Sequence, residues 1–316
     1  MASRSPGNKP MNIAILGGTG FVGNNIASNL VAAGHQVALL VRPGSEHKLP
    51  EIPVWRTTSG DLDNVAALKA TLAECDAVVY SIGLLREFPA RGITFEKTQY
   101  EGVVNAVAAA RQTKVSRFVL ISANGVRIPG TPYQETKFRA EQHLATSGLD
   151  IAILRPSVIF GDPGDNMEFA TQLYRDMVAS PLPAISFFSG FNPRTGAVLM
   201  SPVHVNDVAD VVAGAVQEPP GPEPLVLGGP EVLSWNQMIR RIAATVGKRK
   251  LIIPMPIAAM KLAATLLDRI PAFPVTRDQL TMLAENNLAD PKIIERFIDR
   301  PAKAFVPENL NYLQGA

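Results

Sequence analysis

Short apolar runs alternate with longer segments of helical periodicity through the first half of the chain. The apolar runs are nearly continuous in Ile, Val, Leu and Ala, as expected of strands that are covered on both faces of a sheet. The predicted strands are residues 12–16, 36–42, 54–58, 77–82, 118–122 and 151–154, and the predicted helices between them are 21–33, 63–72, 95–113 and 132–147. This order of elements predicts an α/β fold, a doubly wound parallel sheet of the Rossmann type.

The second half of the chain has a less regular pattern. Residues 161–196 are rich in Gly, Pro, Phe and Ser without a clear period, which predicts an insertion that forms a pocket wall. Residues 197–205, with a helix that follows from residue 206, and residues 224–227 are expected to rejoin the sheet domain, and further helical patterns follow from residue 234. We therefore predict a flexible tail (1–10), a sheet domain of the Rossmann type (11–160 plus about 197–228) and a smaller, mostly helical substrate or partner part (161–196 plus 229–316).

The most apolar stretch covers residues 250–267. Pro254, Pro256 and Lys261 interrupt it, and a membrane span needs about 20 consecutive apolar residues. We expect a buried helix that begins with Pro256 in its first position. Docking on a membrane surface is the alternative.

Composition and charge exclude several classes of protein. The 316 residues are 47% hydrophobic and 18% charged, which is typical of a folded chain rather than a disordered one. The net charge of +2 comes without any block of Lys and Arg, so no nucleic-acid partner is expected. Cys75 is the only cysteine and the four histidines are scattered, so no metal site is expected. The N-terminus lacks the pattern of a signal peptide, and the cytoplasm is the expected location.

A glycine-rich loop lies between the first predicted strand and the first predicted helix. Its pattern can be read as GxGxxG from Gly18 or as GxxGxxG from Gly17. Glycines at such a turn let the backbone approach a pyrophosphate, whose charge the helix N-terminus favours. A tight structural turn is the alternative for a lone motif, but the order strand, loop, helix, strand favours a dinucleotide site. The predicted phosphate-binding residues are Gly17, Gly18, Thr19, Gly20, Phe21, Val22 and Gly23.

The residue that ends the second strand indicates which dinucleotide binds. NAD-binding proteins place an acidic residue there for the ribose hydroxyls, whereas this chain has Arg42, followed by a Pro-Gly-Ser turn. A guanidinium suits a 2′-phosphate. We therefore predict NADP(H) as the preferred cofactor, with NAD(H) as the alternative if Arg42 is merely a solvated residue at the strand end.

A tyrosine and a lysine share one face of a predicted helix. The segment Thr-Pro-Tyr-Gln at residues 131–134 is a capping-box pattern that begins a helix at Pro132. Tyr133 and Lys137 are then at i and i+4, and the ammonium is expected to lower the tyrosine pKa toward a range that suits proton transfer. Ser122 ends the fifth predicted strand, at the sheet edge where ligands gather. We predict Ser122, Tyr133 and Lys137 as the catalytic residues.

Taken in order, these motifs resemble the short-chain dehydrogenase/reductase superfamily. The motifs that carry the resemblance are the glycine loop, Gly60-Asp61-Leu62, Ser81-Ile82-Gly83, Ser122 and Tyr133-x-x-x-Lys137. The segments 154–157 (Leu-Arg-Pro-Ser) and 202–209 (Pro-Val-His-Val-Asn-Asp-Val-Ala) are similar to motifs of its extended and atypical branches. Within these branches, Leu-Gly-Gly-Pro-Glu at 227–231 followed by Ser234-Trp235 resembles the nucleotide-binding accessory subunits of respiratory complex I and their bacterial relatives.

The resemblance implies a role for each matching residue. Asp61 and Leu62 would border the adenine, and Lys137 would also hold the nicotinamide ribose. Tyr133 would be the proton donor and Ser122 its helper. The remaining residues implied to line the nicotinamide side are Ser81, Ile82, Gly83, Pro156 and Val158. The usual Asn-Ala-Gly after the fourth strand is Ser-Ile-Gly here, which leaves the substrate side less defined.

Two functions from different classes are consistent with this pattern. The first is an NADP(H)-dependent oxidoreductase, or an epimerase or dehydratase, that acts on a carbonyl or alcohol substrate. The second is a low-turnover NADPH-binding accessory or assembly protein of respiratory complex I or quinone metabolism, with peripheral contact at the inner face of a membrane. Phe187, Phe188 and Phe191 are candidates to cover an apolar substrate or to close a small core.

Overall fold

The computed structural model describes residues 9–84, 86–267 and 277–315, with residues 263–267 and 277 described by their backbone only. Most of the predicted tail at 1–10 therefore lies outside the described residues. The strands are β1 (Asn12–Leu16), β2 (Gln36–Val41), β3 (Arg56–Ser59), β4 (Ala77–Tyr80), β5 (Arg117–Ile121), β6 (Asp150–Pro156), β7 (Ile159–Phe160), β8 (Ala184–Phe188), β9 (Leu199–Met200), β10 (Val203–His204), β11 (Gly221–Leu227), β12 (Leu233–Ser234) and β13 (Ile252–Pro256).

Helices alternate with the strands of the first half and dominate the end of the chain. The α-helices are α1 (Phe21–Ala32), α2 (Val65–Leu72), α3 (Gly102–Thr113), α4 (Pro132–Ala145), α5 (Phe169–Leu173), α6 (Val205–Gln217), α7 (Trp235–Thr245), α8 (Ile257–Leu267), α9 (Arg277–Leu283) and α10 (Lys292–Glu295). Two π-helical segments, Glu96–Glu101 and Tyr174–Ala179, directly precede α3 and follow α5. The predicted helix at 95–113 is therefore α-helical only from Gly102 onward.

The chain divides into two compact units. Unit 1 comprises the described residues within Met1–Pro156, Val205–Val226 and Arg296–Asp299, and unit 2 those within Ser157–His204, Leu227–Glu295 and Arg300–Ala316. The main sheet of the described residues has seven strands in the order β11-β6-β5-β4-β1-β2-β3. The pairings among β1 to β6 are all parallel. The predicted doubly wound parallel sheet is thereby confirmed.

The strand order places a topological switch point between β1 and β4. From β1 the chain first adds β2 and β3 on one side and then β4, β5 and β6 on the other. Loops after the two strands that flank such a point diverge and leave a crevice at their carboxyl ends, where ligands of doubly wound sheets bind. The glycine loop follows β1, and Ser81 follows β4, so both lie at this crevice.

Helices cover both faces of this sheet. On one face, Leu68 of α2, Val107 of α3 and Leu144 of α4 pack into a core that also contains Tyr80 and Phe118. On the other, α1 packs against α6, and an Asn29 side-chain amide donates to the Asp210 carboxylate at 2.7 Å. Burial on both faces explains the continuous apolar runs in the sequence of the strands.

Unit 2 contains short two-stranded pairings around a second apolar core. Strands β10 and β7 pair in parallel, as do β13 and β8, while β12 and β9 are antiparallel. Phe160, Trp235, Ile239 and Leu310 belong to its core. Phe187 and Phe188 are buried, with Phe187 edge-on to Trp235 at 5.6 Å between ring centroids, whereas Phe191 is exposed.

Two stretches of the second half differ from expectation. Residues 224–227 lie in β11 of the main sheet, but 197–204 form β9 and β10, which pair within unit 2. A short apolar run predicts a strand without identifying its partner, so the sequence could not distinguish these cases. Pro256 ends β13, and α8 begins at Ile257, which is buried, while Leu262 is 64% exposed. The expected buried helix is thus largely exposed over its residues up to Leu262.

Candidate functional site

The glycine loop directs the amino end of α1 into the crevice. Gly20 occupies the N-cap position with an extended backbone, no side chain caps the helix, and its first turn contains no acidic residue. The Gly20 amide donates to the Gly17 carbonyl at 3.1 Å, which closes the turn. The partial positive charge at this helix end is therefore not compensated by a nearby side chain, as a phosphate-binding helix requires.

Close backbone approach requires glycine at two positions of the loop. A Cβ at Gly23 would lie 2.1 Å from the Gly17 oxygen, so any side chain there would force α1 away from β1. Gly17 has a φ of +100°, and a Cβ there would lie 2.7 Å from the Ser81 oxygen. The loop thus lies directly against the chain that leaves β4.

The segment after β4 supplies a polar atom that has no partner. The Ser81 amide donates to the Leu16 carbonyl at 2.8 Å, which continues the ladder for one residue beyond Tyr80. The Ser81 hydroxyl is buried and makes no hydrogen bond within the described part of the chain. An unsatisfied buried hydroxyl costs free energy, and a polar ligand beside the glycine loop would satisfy it. This observation fits a dinucleotide.

The residues predicted for the adenine side lie at the same edge of the sheet. Arg42 follows β2 directly and is exposed, and its carbonyl accepts the Ser45 amide at 3.0 Å in a tight turn. Asp61 follows β3, is also exposed, and accepts the Leu62 amide at 2.8 Å. Because β1, β2 and β3 are adjacent and parallel, Arg42 and Asp61 lie on the same side of the glycine loop.

Helix α4 places Tyr133 and Lys137 as the sequence predicts. The capping box between Thr131 and Gln134 is present and begins the helix at Pro132. The Lys137 ammonium lies 5.8 Å from the centroid of the Tyr133 ring and donates to the Ile121 carbonyl at 3.3 Å. A Cβ at Gly83 would lie 3.8 Å from the same ammonium, so the lysine borders the segment after β4.

Burial determines the protonation of both groups. Loss of solvation raises the pKa of the Tyr133 phenol above its usual value, and it lowers the pKa of Lys137 to about 8, an effect that the Glu141 carboxylate partly opposes. The expectation that Lys137 lowers the Tyr133 pKa differs from this result. The Lys137 ammonium donates to the Ile121 carbonyl rather than to the phenol. Desolvation of the phenol therefore outweighs the effect of the lysine charge on the Tyr133 pKa.

Ser122 makes a contact that the sequence interpretation missed. It lies just beyond β5, and its buried hydroxyl donates to Glu141 Oε1 at 2.5 Å. The Ser122 proton is therefore directed at Glu141 and not at a substrate oxygen, contrary to the prediction. Glu141 in turn pairs with Arg155 of β6. The position of Glu141, four residues after Lys137, was the signal in the sequence that would have identified it.

Two of the residues predicted to line the nicotinamide side, Pro156 and Val158, lie in different units. Pro156 ends β6 in unit 1, and its carbonyl accepts the Asn124 amide at 3.0 Å. Val158 lies in unit 2, where it packs against that unit's apolar core. Unit 1 by itself therefore holds all the predicted cofactor residues except Val158. Within the described residues, no cluster of three or more His, Cys, Asp and Glu is arranged for a metal ion.

Comparison with known proteins identifies relatives over most of the chain. A sequence profile described as NAD(P)H-binding matches residues 17–178. A ceramide reductase of Caulobacter vibrioides is 27% identical over 270 residues, which are 81% of this chain and 77% of the relative. A UDP-glucose 4-epimerase of Vibrio cholerae is 25% identical, over 82% of this chain and 83% of the relative. The crystal structure of a UDP-glucose 4-epimerase of Thermus thermophilus in complex with NAD superposes with a TM-score of 0.71, at 21% identity, over 96% of this chain and 98% of that one.

The buried lysine predicts a pH-dependent cost to stability. The pKa of Lys137 is lowered from 10.5 to about 8, so between these values the folded state binds fewer protons than the unfolded state. The stability of the wild type should then rise with pH in this window, because the cost of burying the ammonium disappears. We expect Lys137→Met to be more stable than the wild type near pH 7, by about 1–3 kcal/mol, and to lose this advantage toward pH 10.

Urea denaturation at several pH values measures this difference. Lys69→Met is the matched control, because Lys69 is an exposed lysine on α2 and its removal should change stability equally at all these pH values. A Lys137→Met variant whose stability follows that of the wild type in parallel across the window would contradict the prediction.

Proposed function

The chain belongs to the NAD(P)H-binding family, its relatives include reductases and epimerases, and on this premise we propose that it is an NADP(H)-dependent oxidoreductase acting on a carbonyl or alcohol group. One observation carries the proposal: Lys137 borders Gly83 at the carboxyl end of β4, one helical turn from Tyr133. This supports the proposal that Tyr133 transfers a proton at the crevice in which the glycine loop and the unpaired Ser81 hydroxyl favour a dinucleotide. An epimerase or dehydratase that oxidises its substrate transiently would use the same groups.

Each part of the crevice has a task in this proposal. The glycine loop and the amino end of α1 bind the pyrophosphate. Asp61 and Leu62 border the adenine, and Ser81 to Gly83 line the ribose and nicotinamide side. Lys137 donates to the nicotinamide ribose. The bound nucleotide supplies or accepts a hydride, and the residues of the chain orient it and move the accompanying proton.

Tyr133 moves that proton. Its phenol has a raised pKa and is protonated at neutral pH, so it can donate to a carbonyl oxygen as hydride arrives at the carbon. Phe95 packs edge-on against its ring at 5.7 Å between centroids, which fixes the ring without using its hydroxyl. Because the Ser122 proton is held by Glu141, Tyr133 is the donor in this proposal without direct help from Ser122.

A second candidate function uses NADPH as a tightly held structural ligand in an accessory protein of a respiratory or quinone-related assembly. The same glycine loop and Arg42 would serve it, but Tyr133 would have no substrate. The purified protein distinguishes the two. If NADPH is bound without exchange and no aldehyde, ketone or quinone oxidises it, the oxidoreductase proposal is wrong.

Arg42 is the basis for proposing NADP(H) over NAD(H). It is exposed, and none of the ion pairs among the described residues involves it, so its guanidinium can bind a 2′-phosphate in bidentate fashion. We expect Arg42→Ala to weaken NADPH binding by about 10- to 100-fold, the equivalent of a charge-assisted hydrogen bond worth about 1.5–3 kcal/mol, and to leave NADH binding nearly unchanged. Fluorescence titration with each nucleotide measures the difference.

The nearby and likewise exposed His47 provides the control for that titration. His47→Ala should leave the ratio of NADPH to NADH affinity close to that of the wild type. Equal losses of affinity for NADPH and NADH in Arg42→Ala would show that Arg42 does not bind the 2′-phosphate.

Removal of the Tyr133 hydroxyl tests the proposed chemistry. We expect Tyr133→Phe to bind NADPH with an affinity within about threefold of the wild type and to lose at least about 100-fold of its turnover, the usual contribution of general acid catalysis. The loss of nicotinamide absorbance with a panel of aldehydes, ketones and quinones measures turnover. Tyr100→Phe, on the π-helical segment before α3, is the matched control. Turnover that persists in Tyr133→Phe places the proton donor elsewhere.

Peripheral contact with a membrane is favoured by one region of unit 2. Leu251 is 68% exposed and Leu262 is 64% exposed, and the exposed cations Lys248 and Arg249 precede them. Exposed apolar side chains beside cations are typical of surfaces that dock on anionic lipid. No helix of the described residues is long and apolar enough to cross a membrane.

Flotation with vesicles tests this contact. We expect the protein to float with vesicles of phosphatidylglycerol and phosphatidylcholine, and the double variant Leu251→Gln and Leu262→Gln to remain unbound, because it removes the exposed apolar area. Val65→Gln, which changes an exposed apolar residue of α2, should float like the wild type. Equal flotation of the wild type and the double variant would exclude this surface.

A further inference from the structure

A carboxylate lies on the same face of α4 as the two proposed reacting groups. Tyr133, Lys137 and Glu141 are spaced four residues apart, so they follow one another along a single helix face. Lys137 and Glu141 are both buried, with 5% and 1% of their surface exposed. A buried carboxylate of this kind must be paired or hydrogen-bonded to remain charged.

Lys137 and Glu141 are fixed to consecutive residues at the end of β5. The Lys137 ammonium donates to the Ile121 carbonyl at 3.3 Å, and the next residue, Ser122, donates its hydroxyl to Glu141 at 2.5 Å. Both side chains are therefore held against the same strand end, within unit 1. The two side chains are thus each hydrogen-bonded to one of two consecutive residues of the chain.

Arg155 completes the surroundings of the carboxylate. Its Nε donates to Glu141 Oε1 at 3.0 Å, and one of its terminal nitrogens donates to Oε2 at 2.5 Å. Strand β6, which carries Arg155, is parallel to β5, with Leu154 opposite Ile121. The Glu141 carboxylate therefore accepts three hydrogen bonds, two from the Arg155 guanidinium and one from the Ser122 hydroxyl.

We propose that Glu141 is a positioning residue that acts through Lys137: its fixed carboxylate keeps the Lys137 side chain charged and held at the end of β5, where it can donate to the nucleotide ribose. The part that concerns the ribose rests on the proposed function, whereas the electrostatic part does not. Ser122 and Arg155 then serve to fix the carboxylate rather than to contact substrate.

The charges around Lys137 support this assignment. Burial lowers the pKa of Lys137 to about 8, and Glu141 is the charged group that opposes the decrease. From β6, Arg155 faces Glu141 and is bonded to it. From the π-helical segment that packs against α4, Glu96 pairs with Arg139 on the partly exposed side of the helix. Without the Glu141 carboxylate, burial would lower the pKa of Lys137 further.

Titration of Lys137 in the apo protein tests the electrostatic part directly. The protein is labelled with ¹³C at the ε-carbon of lysine, and the Lys137 resonance is assigned by its absence in Lys137→Arg. We expect the wild type to titrate near pH 8 and Glu141→Gln to titrate at least about one pH unit lower, a tenfold change in the acid constant. Glu141→Asp, which keeps the charge, should titrate closer to the wild type than to the glutamine variant.

A second ion pair provides the matched control. Glu231 pairs with Arg241 in unit 2, at 2.6 Å, and Glu231→Gln should leave the Lys137 titration unchanged. If Glu141→Gln leaves an unpaired arginine and does not fold, the double variant with Arg155→Gln takes its place, and we expect its Lys137 to titrate below the wild type as well, because Glu141 is the charged group that raises the Lys137 pKa. A Lys137 midpoint that is the same in the wild type and in the folded glutamine variant overturns the proposal.

The pH dependence of NADPH binding tests the part that concerns the ribose. We expect wild-type affinity to fall as pH rises through about 8, because the ammonium is lost, and the midpoint of this decrease to move down in Glu141→Gln by the same amount as the NMR midpoint. If the wild type binds no NADPH, the proposed function fails while the NMR result stands. If NADPH binds but the pH midpoint of its binding does not shift with the NMR titration midpoint of Lys137, the positioning role is wrong.

Discussion

The site depends on one close backbone approach, that of Gly23 to the Gly17 carbonyl. A Cβ at Gly23 would lie 2.1 Å from that oxygen, so the angle at which α1 leaves β1 exists only because the position carries no side chain. This angle directs the uncapped amino end of α1 at the crevice between the loops after β1 and β4. Every other proposed contact with the nucleotide, from Arg42 to Lys137, is placed relative to that helix end.

Local signals in the sequence were sufficient for the sheet and for the start of α4. Apolar runs predicted six strands of the main sheet to within a few residues, since burial on both faces leaves few polar positions in most of them. The capping box at Thr131 and Gln134 fixed the helix start and therefore the shared face of Tyr133 and Lys137. The glycine spacing was informative because it depends on neighbours in sequence. Each of these features is determined within a few residues.

The features that the sequence could not predict depend on distant partners. Residues 197–204 look like strands of the main sheet, yet they pair with β7 and β12, which lie far away in the sequence and belong to unit 2. The Ser122 hydroxyl was expected to face a substrate, but the Glu141 carboxylate accepts its proton. The direction of the Tyr133 pKa shift also depends on burial, which arises only when α4 packs on the sheet. Residue spacing alone predicts which side chains are neighbours on a helix face, but it does not predict how well each of them is solvated.

Solvation also bears on the direction of the proposed reaction. A phenol with a raised pKa is protonated at neutral pH, which is the state needed to donate to a carbonyl that is being reduced, whereas oxidation of an alcohol requires a base. In the proposed reaction, the protonated phenol thus corresponds to the state that reduction requires. In the same proposal, Glu141 keeps Lys137 charged, and the Lys137 ammonium donates to the Ile121 carbonyl rather than to the phenol. Glu141 thus acts on the lysine in this proposal, whereas burial alone sets the direction of the Tyr133 pKa shift.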